Sequence, residues 1–282
     1  MPTFPAPHPV PVVVDVPFAN LHLVASERDD VVVTVLPTDP TKSGSVRAAE
    51  EIRIDRDGDS VKLTYPGSWK QFVLPFAAGT ANITVELPAG SDLRGKAGSL
   101  YAEGALRHVD LTLSSGDARL DDVDRLDLKV SAGSVVVGRV AGVAGIKASA
   151  GSVRIDEVGG EAVIRASNGT TRVGSVTGTL EVHGAHGDID VRRVRGALTA
   201  RSAHAGIRVA NIESGSATLS TSFGSIEVGV PEGTVAHLDI ASERGAVRNQ
   251  LTPTEGPVED EATAEISATT GFGDVVVHRP DA

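Results

Sequence analysis

Residues 131–202 contain four successive copies of one eighteen-residue unit: SAGSVVVGRVAGVAGIKA (131–148), SAGSVRIDEVGGEAVIRA (149–166), SNGTTRVGSVTGTLEVHG (167–184) and AHGDIDVRRVRGALTARS (185–202). AHAGIRVANIESGSATLS (203–220) is a fifth. The marker glycine recurs at Gly98, Gly116, Gly133, Gly151, Gly169, Gly187, Gly206 and Gly224, with spacings of 18, 17, 18, 18, 18, 19 and 18. Counting from the marker, apolar residues fall at +2, +4, +7, +11 and +13, with a small residue at +15. In the unit of Gly151 these are Val153, Ile155, Val158, Ala162, Ile164 and Ala166. Period-two alternation broken by turns specifies short strands. A second glycine at +9 (Gly142, Gly160, Gly178, Gly196) marks a corner. No segment holds a helical period over three turns.

One such unit has too few inward side chains to stand alone, so it must stack on its neighbours. The expected fold is all-β, a single-stranded parallel β-helix or β-solenoid with coils of about 18 residues, strands pairing roughly 4.8 Å apart. Eighteen residues at about 3.3 Å each enclose a perimeter near 60 Å, which aliphatic side chains fill. Function is then confined to outer faces, loops or ends.

Composition agrees. Aromatics are 3% of the 282 residues, cysteine is absent, and the net charge is −11. The missing cysteines exclude disulfides, thiolate metal sites and cysteine nucleophiles. The acidic balance argues against general nucleic-acid binding. No signal-like start and no apolar run of membrane-spanning length are visible, so the expected location is cytoplasmic, without membrane insertion.

Outside the regular units, residues 1–90 are strand-rich and hold six of the nine aromatics: Phe4, Phe18, Tyr65, Trp69, Phe72 and Phe76. They are expected to form a capping region or wider opening coils, with a hairpin at the Asp-Gly of DRDGDSVKL (55–63). Residues 91–250 form the regular solenoid. Residues 251–282 add an acidic, Pro-rich loop and closing strands of the same solenoid, with Gly273 repeating the marker. ITVELPAGS (83–91) and IEVGVPEGT (226–234) echo one strand-and-corner module.

The segments PVVVDV, VASERDDVVVTVLPTDP, VRAAEEIRI and VELPAGSDLRGKAGS, the SxGS[VI]xV units and the closing TTGFGDVVVHR resemble the actinobacterial DUF4097 family, which carries an adhesin label. The resemblance covers nearly the whole chain and implies a β-helix or solenoid. It brings no catalytic residues.

Three candidate sites emerge. Position +14, after a one-residue deletion in the unit of Gly116, reads Lys129, Lys147, Arg165, His183 and Arg201. Stacked like charges repel, and residues 139–208 hold 10 Lys and Arg against 6 Asp and Glu. A groove for an anionic polymer or an acidic partner protein is the functional reading; a solvated face that blocks aggregation, partly paired through Asp127 and Glu181, is the structural one. Trp69, Phe72 and Phe76 form either a plug over the first coil or a docking surface. His186, Asp188 and His204, with Asp190, are the weakest: a metal-binding or polysaccharide-acting site, set against a tolerant corner column that also holds Ala132, Ala150, Asn168 and Phe223. At +3, Arg119, Val136, Arg154, Arg172, Asp190, Arg208 and Glu227 form a second outward column, in which Asp190 between Arg172 and Arg208 suggests an ion-pair ladder. The chain is therefore expected to be a non-enzymatic scaffold or binding protein, without a cofactor. Homo-oligomerisation through ends or edges is a further alternative.

Overall fold

A computed structural model of the chain describes residues 2–66, 79–252 and 262–280. Two compact units divide between Val137 and Gly138.

Unit 1 contains β1 (Thr3–Pro5), β2 (Pro11–Ser26), β3 (Asp30–Pro37), α1 (Ser43–Glu51), β4 (Arg53–Asp57), β5 (Ser60–Thr64), β6 (Ala81–Pro88), β7 (Asp92–Leu113) and β8 (Ala118–Ala132). Its long strands β2, β7 and β8 stack in parallel, with Val12 on Leu93, Leu21 on Leu100 and Leu100 on Ala118. β2 also pairs in parallel with β5 and β6 on its other side. The first long strand of the chain is therefore an interior coil, and a later segment lies outside it. Beyond that segment the pairing turns antiparallel: β3 on β6, β1 on β3, and β4 on β5 across the Asp-Gly hairpin. The helix α1 packs on β3 and β6 with Ser45 and Ala48 buried. Nine residues are too few for three turns, which is why no helical period stands out over 43–51.

Unit 2 begins within β9 (Val135–Ala150). It continues through β10 (Val153–Val158), β11 (Glu161–Asn168), β12 (Thr171–Val176), β13 (Thr179–His186), β14 (Ile189–Val194), β15 (Ala197–Ser202), β16 (Ile207–Ile212), β17 (Gly215–Phe223) and β18 (Ile226–Gly229). It ends with β19 (Thr234–Arg244), β20 (Val247–Asn249), β21 (Ala262–Phe272) and β22 (Val275–His278). Each coil supplies one strand to each of two parallel ladders. Along one, Val153, Thr171, Ile189, Ile207, Ile226 and Val275 lie in register. Along the other, Ile146, Ile164, Val182, Ala200, Leu219 and Ala268 do so, each at most 1% exposed. Burying one such aliphatic is worth roughly 1.5–3 kcal/mol, and the period repeats the gain at every coil.

Two departures from the sequence expectation stand out. The register passes from Ile189 to Ile207 over eighteen residues and from Leu198 to Ala217 over nineteen. The marker equivalent of Gly187 is thus Ala205, not Gly206, and the extra residue sits at the corner Glu213–Gly215. Gly215 there takes φ +89, and a Cβ on it would lie 2.1 Å from the Gly196 carbonyl oxygen. Second, the closing coil β21–β22 inserts between β17–β18 and β19–β20. Gly273 stacks directly on Gly224, where a Cβ would meet the Gly224 oxygen at 2.2 Å.

The module shared by 83–91 and 226–234 has a common purpose. The Ser91 hydroxyl donates to the Pro88 carbonyl and accepts the Val10 amide, while the Thr234 hydroxyl donates to the Glu213 carbonyl. Both residues are buried.

Candidate functional site

Strands β9, β11, β13 and β15 place Lys147, Arg165, His183 and Arg201 in one file, each paired by register with the next. They point outward because Ile146, Ala148 and their equivalents alternate inward. Lys147, Arg165 and Arg201 are exposed, and among the described residues none has a carboxylate within 4.0 Å. His183 is engaged with Glu181 at 2.6 Å. The file ends at Ser220, which stacks on Arg201. Lys129 lies on β8 in unit 1, beside Thr112 by register and 4.0 Å from Asp127.

The +3 positions form a second file, Arg154, Arg172, Asp190, Arg208 and Glu227. Here Arg154, Arg208 and Glu227 are paired, Arg172 has no carboxylate within 4.0 Å among the described residues, and further pairs lie beside the file. Arg154 pairs with Asp156 at 2.9 Å and Arg208 with Glu227 at 3.6 Å, while Arg193 and Arg195 converge on Glu213. Asp190 makes no ion pair within 4.0 Å among the described residues, so the ladder is confined to its Arg208–Glu227 end.

The corner column is a continuous ring stack. His186 and His204 lie 5.1 Å apart, His204 and Phe223 5.1 Å, and Phe223 and Phe272 4.8 Å, with interplanar angles of 18°, 17° and 10°. The Arg244 guanidinium covers Phe272 at 5.0 Å. Asp188 does not join the histidines: its Oδ1 accepts the Gly206 amide at 3.1 Å. Among the described residues no three His, Asp or Glu side chains converge as metal ligands. Trp69, Phe72 and Phe76 lie outside the described residues.

A buried, perturbed carboxylate lies elsewhere. Asp92 on β7, only 7% exposed, receives Nε and Nη2 of Arg107 at 2.9 and 2.7 Å. These hydrogen bonds hold its carboxyl below the usual carboxylate range against the opposing effect of burial. The pair joins two turns of one coil and is structural.

Comparison with known proteins places this geometry. The family model described as Toastrack DUF4097 matches residues 12–278. The chain belongs to the DUF4097 family. Two solved structures resemble this DUF4097 chain over nearly its full length. One, named for cell adhesion, is from Clostridium sporogenes: 10% identity, 99% of this chain and 98% of that one, TM-score 0.26. The other, named an adhesin, is from Bacteroides fragilis: 13% identity, 98% and 95% coverage, TM-score 0.36. No curated protein matches the chain. No helix among the described residues is long and apolar enough to cross a membrane.

Within the DUF4097 coil the eighteen-residue spacing brings Lys147, Arg165, His183 and Arg201 into one file and stacks His186 on His204. That spacing does not anticipate that Phe272 and Arg244 extend the ring stack, because the order of the last two coils is permuted. The signal was present in Gly273, which puts Phe272 one residue before a marker as Phe223 is before Gly224. Among the described residues, the outer face of unit 2 offers the unpaired cations Lys147, Arg165 and Arg201, with the His183–Glu181 pair between them.

Proposed function

We propose that this DUF4097 chain is a non-catalytic β-solenoid scaffold that binds an extended, carboxylate-bearing partner along Lys147, Arg165, His183 and Arg201. The observation that supports this is the absence of any carboxylate within 4.0 Å of Lys147, Arg165 and Arg201 among the described residues. Three cations on successive or near-successive coils, roughly 4.8 Å per coil, repel unless an anion lies across them. An extended acidic chain can bridge them, and because strands already hold the cations in place the ordering cost falls mainly on the acidic chain. The net charge of −11 disfavours nucleic acid as that partner.

The test is the variant Lys147→Glu/Arg165→Glu/Arg201→Glu, titrated with poly-glutamate and with a polyuronate at low and physiological salt. The unaltered protein should bind at least one with salt-dependent affinity, and the variant should not. Equal binding by both proteins, or none by the unaltered one, removes the proposal. The cytoplasmic expectation travels with this reading, and fractionation of native cells checks it.

A further inference from the structure

Among the described residues, no element covers the last coil of unit 2. β19 pairs with β21, and β20 with β22, each on one side only, and among the described residues nothing pairs with their outer edges. The hydrophobic interior opens there. Val247, in register with the fully buried Val275, is 44% exposed. Leu238 and Ile240 are half-buried although their register partners Ile266 and Ala268 are at most 1% exposed.

The outer strands of unit 1 are protected differently. β1 has three residues including Pro5, β4 reads Arg-Ile-Asp-Arg-Asp, and α1 packs on β3 and β6. Short length, proline, charge and a covering helix are the usual means of blocking strand addition. β19 is less guarded: over eleven residues it carries no proline and no lysine, its charges are Asp239, Glu243 and Arg244, and it keeps one register along β21.

We infer that the outer edge of β19 is a self-association surface, on which β19 of a second copy pairs antiparallel about Leu238. The sequence of the strand supports this occupant. Antiparallel pairing about Leu238 sets Leu238 against Leu238 and Ala236 against Ile240 on the inner row. On the outer row it sets His237 against Asp239 twice, an imidazole beside a carboxylate in each case. In-register parallel pairing would instead stack Asp239 on Asp239 and Glu243 on Glu243, which is unfavourable. The antiparallel contact is isologous, so it closes as a dimer and does not propagate into a fibre. It also completes the row of backbone hydrogen bonds and covers Leu238 and Ile240. The inference does not depend on the cation file.

The experiment is sedimentation velocity on the full chain across a concentration series. The unaltered protein should reach a dimer and no larger species. Asp239→Arg, at an exposed outward position, replaces the carboxylate opposite His237 with a second hydrogen-bond donor in both symmetric pairs and should weaken the dimer about tenfold. The exchanged variant His237→Asp/Asp239→Arg should recover it. The triple charge reversal on the cation file should leave the dimer intact. A monomer at every concentration overturns the inference, as it would if the chain's own residues 253–261 covered the edge and protected the β19 amides from exchange. Continued growth beyond dimer, or a dimer indifferent to both substitutions, overturns it as well.

Discussion

Replacing Gly187 with alanine separates the coil register seen in the structure from the one that glycine spacing alone suggests. Gly187 has φ +127, where an L side chain is strained by about 1–3 kcal/mol. Its Cβ would sit 2.3 Å from the Gly169 carbonyl oxygen and 2.5 Å from the carbon of the same group. Neither atom belongs to a side chain that can swing away. Relieving the overlap means separating two coils by about 1 Å, at the scale of overpacking, about 1–3 kcal/mol. The expected loss is thus about 3 kcal/mol. Gly206 is the control: its φ lies outside the left-handed region, and an added Cβ would meet its nearest atoms, Ser225 O and Asp188 Oδ1, at 3.4 and 3.5 Å. Gly206→Ala should cost less than about 1 kcal/mol, because reduced freedom of the unfolded chain offsets the tight contact. Urea unfolding followed by circular dichroism compares the two. Solenoids can open locally, so amide exchange along β12, β14 and β16 should show the Gly187→Ala defect centred on its own coil and neighbours. Equal losses for Gly187→Ala and Gly206→Ala would refute the assignment of Ala205 to the marker position.

Ser202→Ala should stabilise the protein by about 1 kcal/mol, since the buried Ser202 hydroxyl has no hydrogen-bond partner among the described residues. Its register neighbour Thr221, by contrast, donates to the Ala205 carbonyl. Thermal denaturation checks it, and a fall in Tm would count against the reading. Arg107→Met should lower stability in a pH-dependent way. The folded-state pKa of Asp92 is depressed, so its pairing contributes fully above the unfolded carboxylate range, about pH 4, and fades as pH falls through the lower folded value. The difference in urea midpoint between the unaltered protein and the variant should therefore be largest at neutral pH and shrink below about pH 4. A difference constant down to the acid limit would exclude Asp92 as its source.

The interior of the coil was legible because a solenoid repeats one local rule: a side chain that packs inward at +13 in one coil meets another at +13 in the next. Ile164, Val182 and Ala200 could be placed on one line from spacing alone. The ends obey different physics. A terminal coil has an unpaired edge, and which segment covers it depends on long-range pairing that no local pattern encodes. Nothing in VPVVVDV indicates that β2 lies inside β5 and β6, and nothing in AEISATTGFGDVVVH indicates that β21 and β22 slip inside β19 and β20. The short helix over 43–51 escaped for a related reason, because its burial rests on Ser45 and Ala48 against β3 and β6 rather than on a long apolar stripe. Gly206 mimics the marker because it directly follows Ala205, which holds that position, while the extra residue that lets the count resume at Gly224 lies further on, at the Glu213–Gly215 corner.

The candidate site follows from how differently one scaffold treats its two outer files. A carboxylate two residues earlier on the same strand lies on the same face and can reach the cation, as Glu181 reaches His183 on β13. The equivalent positions before Lys147, Arg165 and Arg201 hold Gly145, Val163 and Thr199. On the opposite ladder, Arg154 has Asp156 and Arg208 has Glu227 at hand. Local neutralisation is therefore available to this fold and is used next door, so the repulsion left along Lys147, Arg165 and Arg201 is not imposed by coil geometry. That unrelieved charge pattern, on a chain that is otherwise acidic, is what the anionic partner proposed above would relieve.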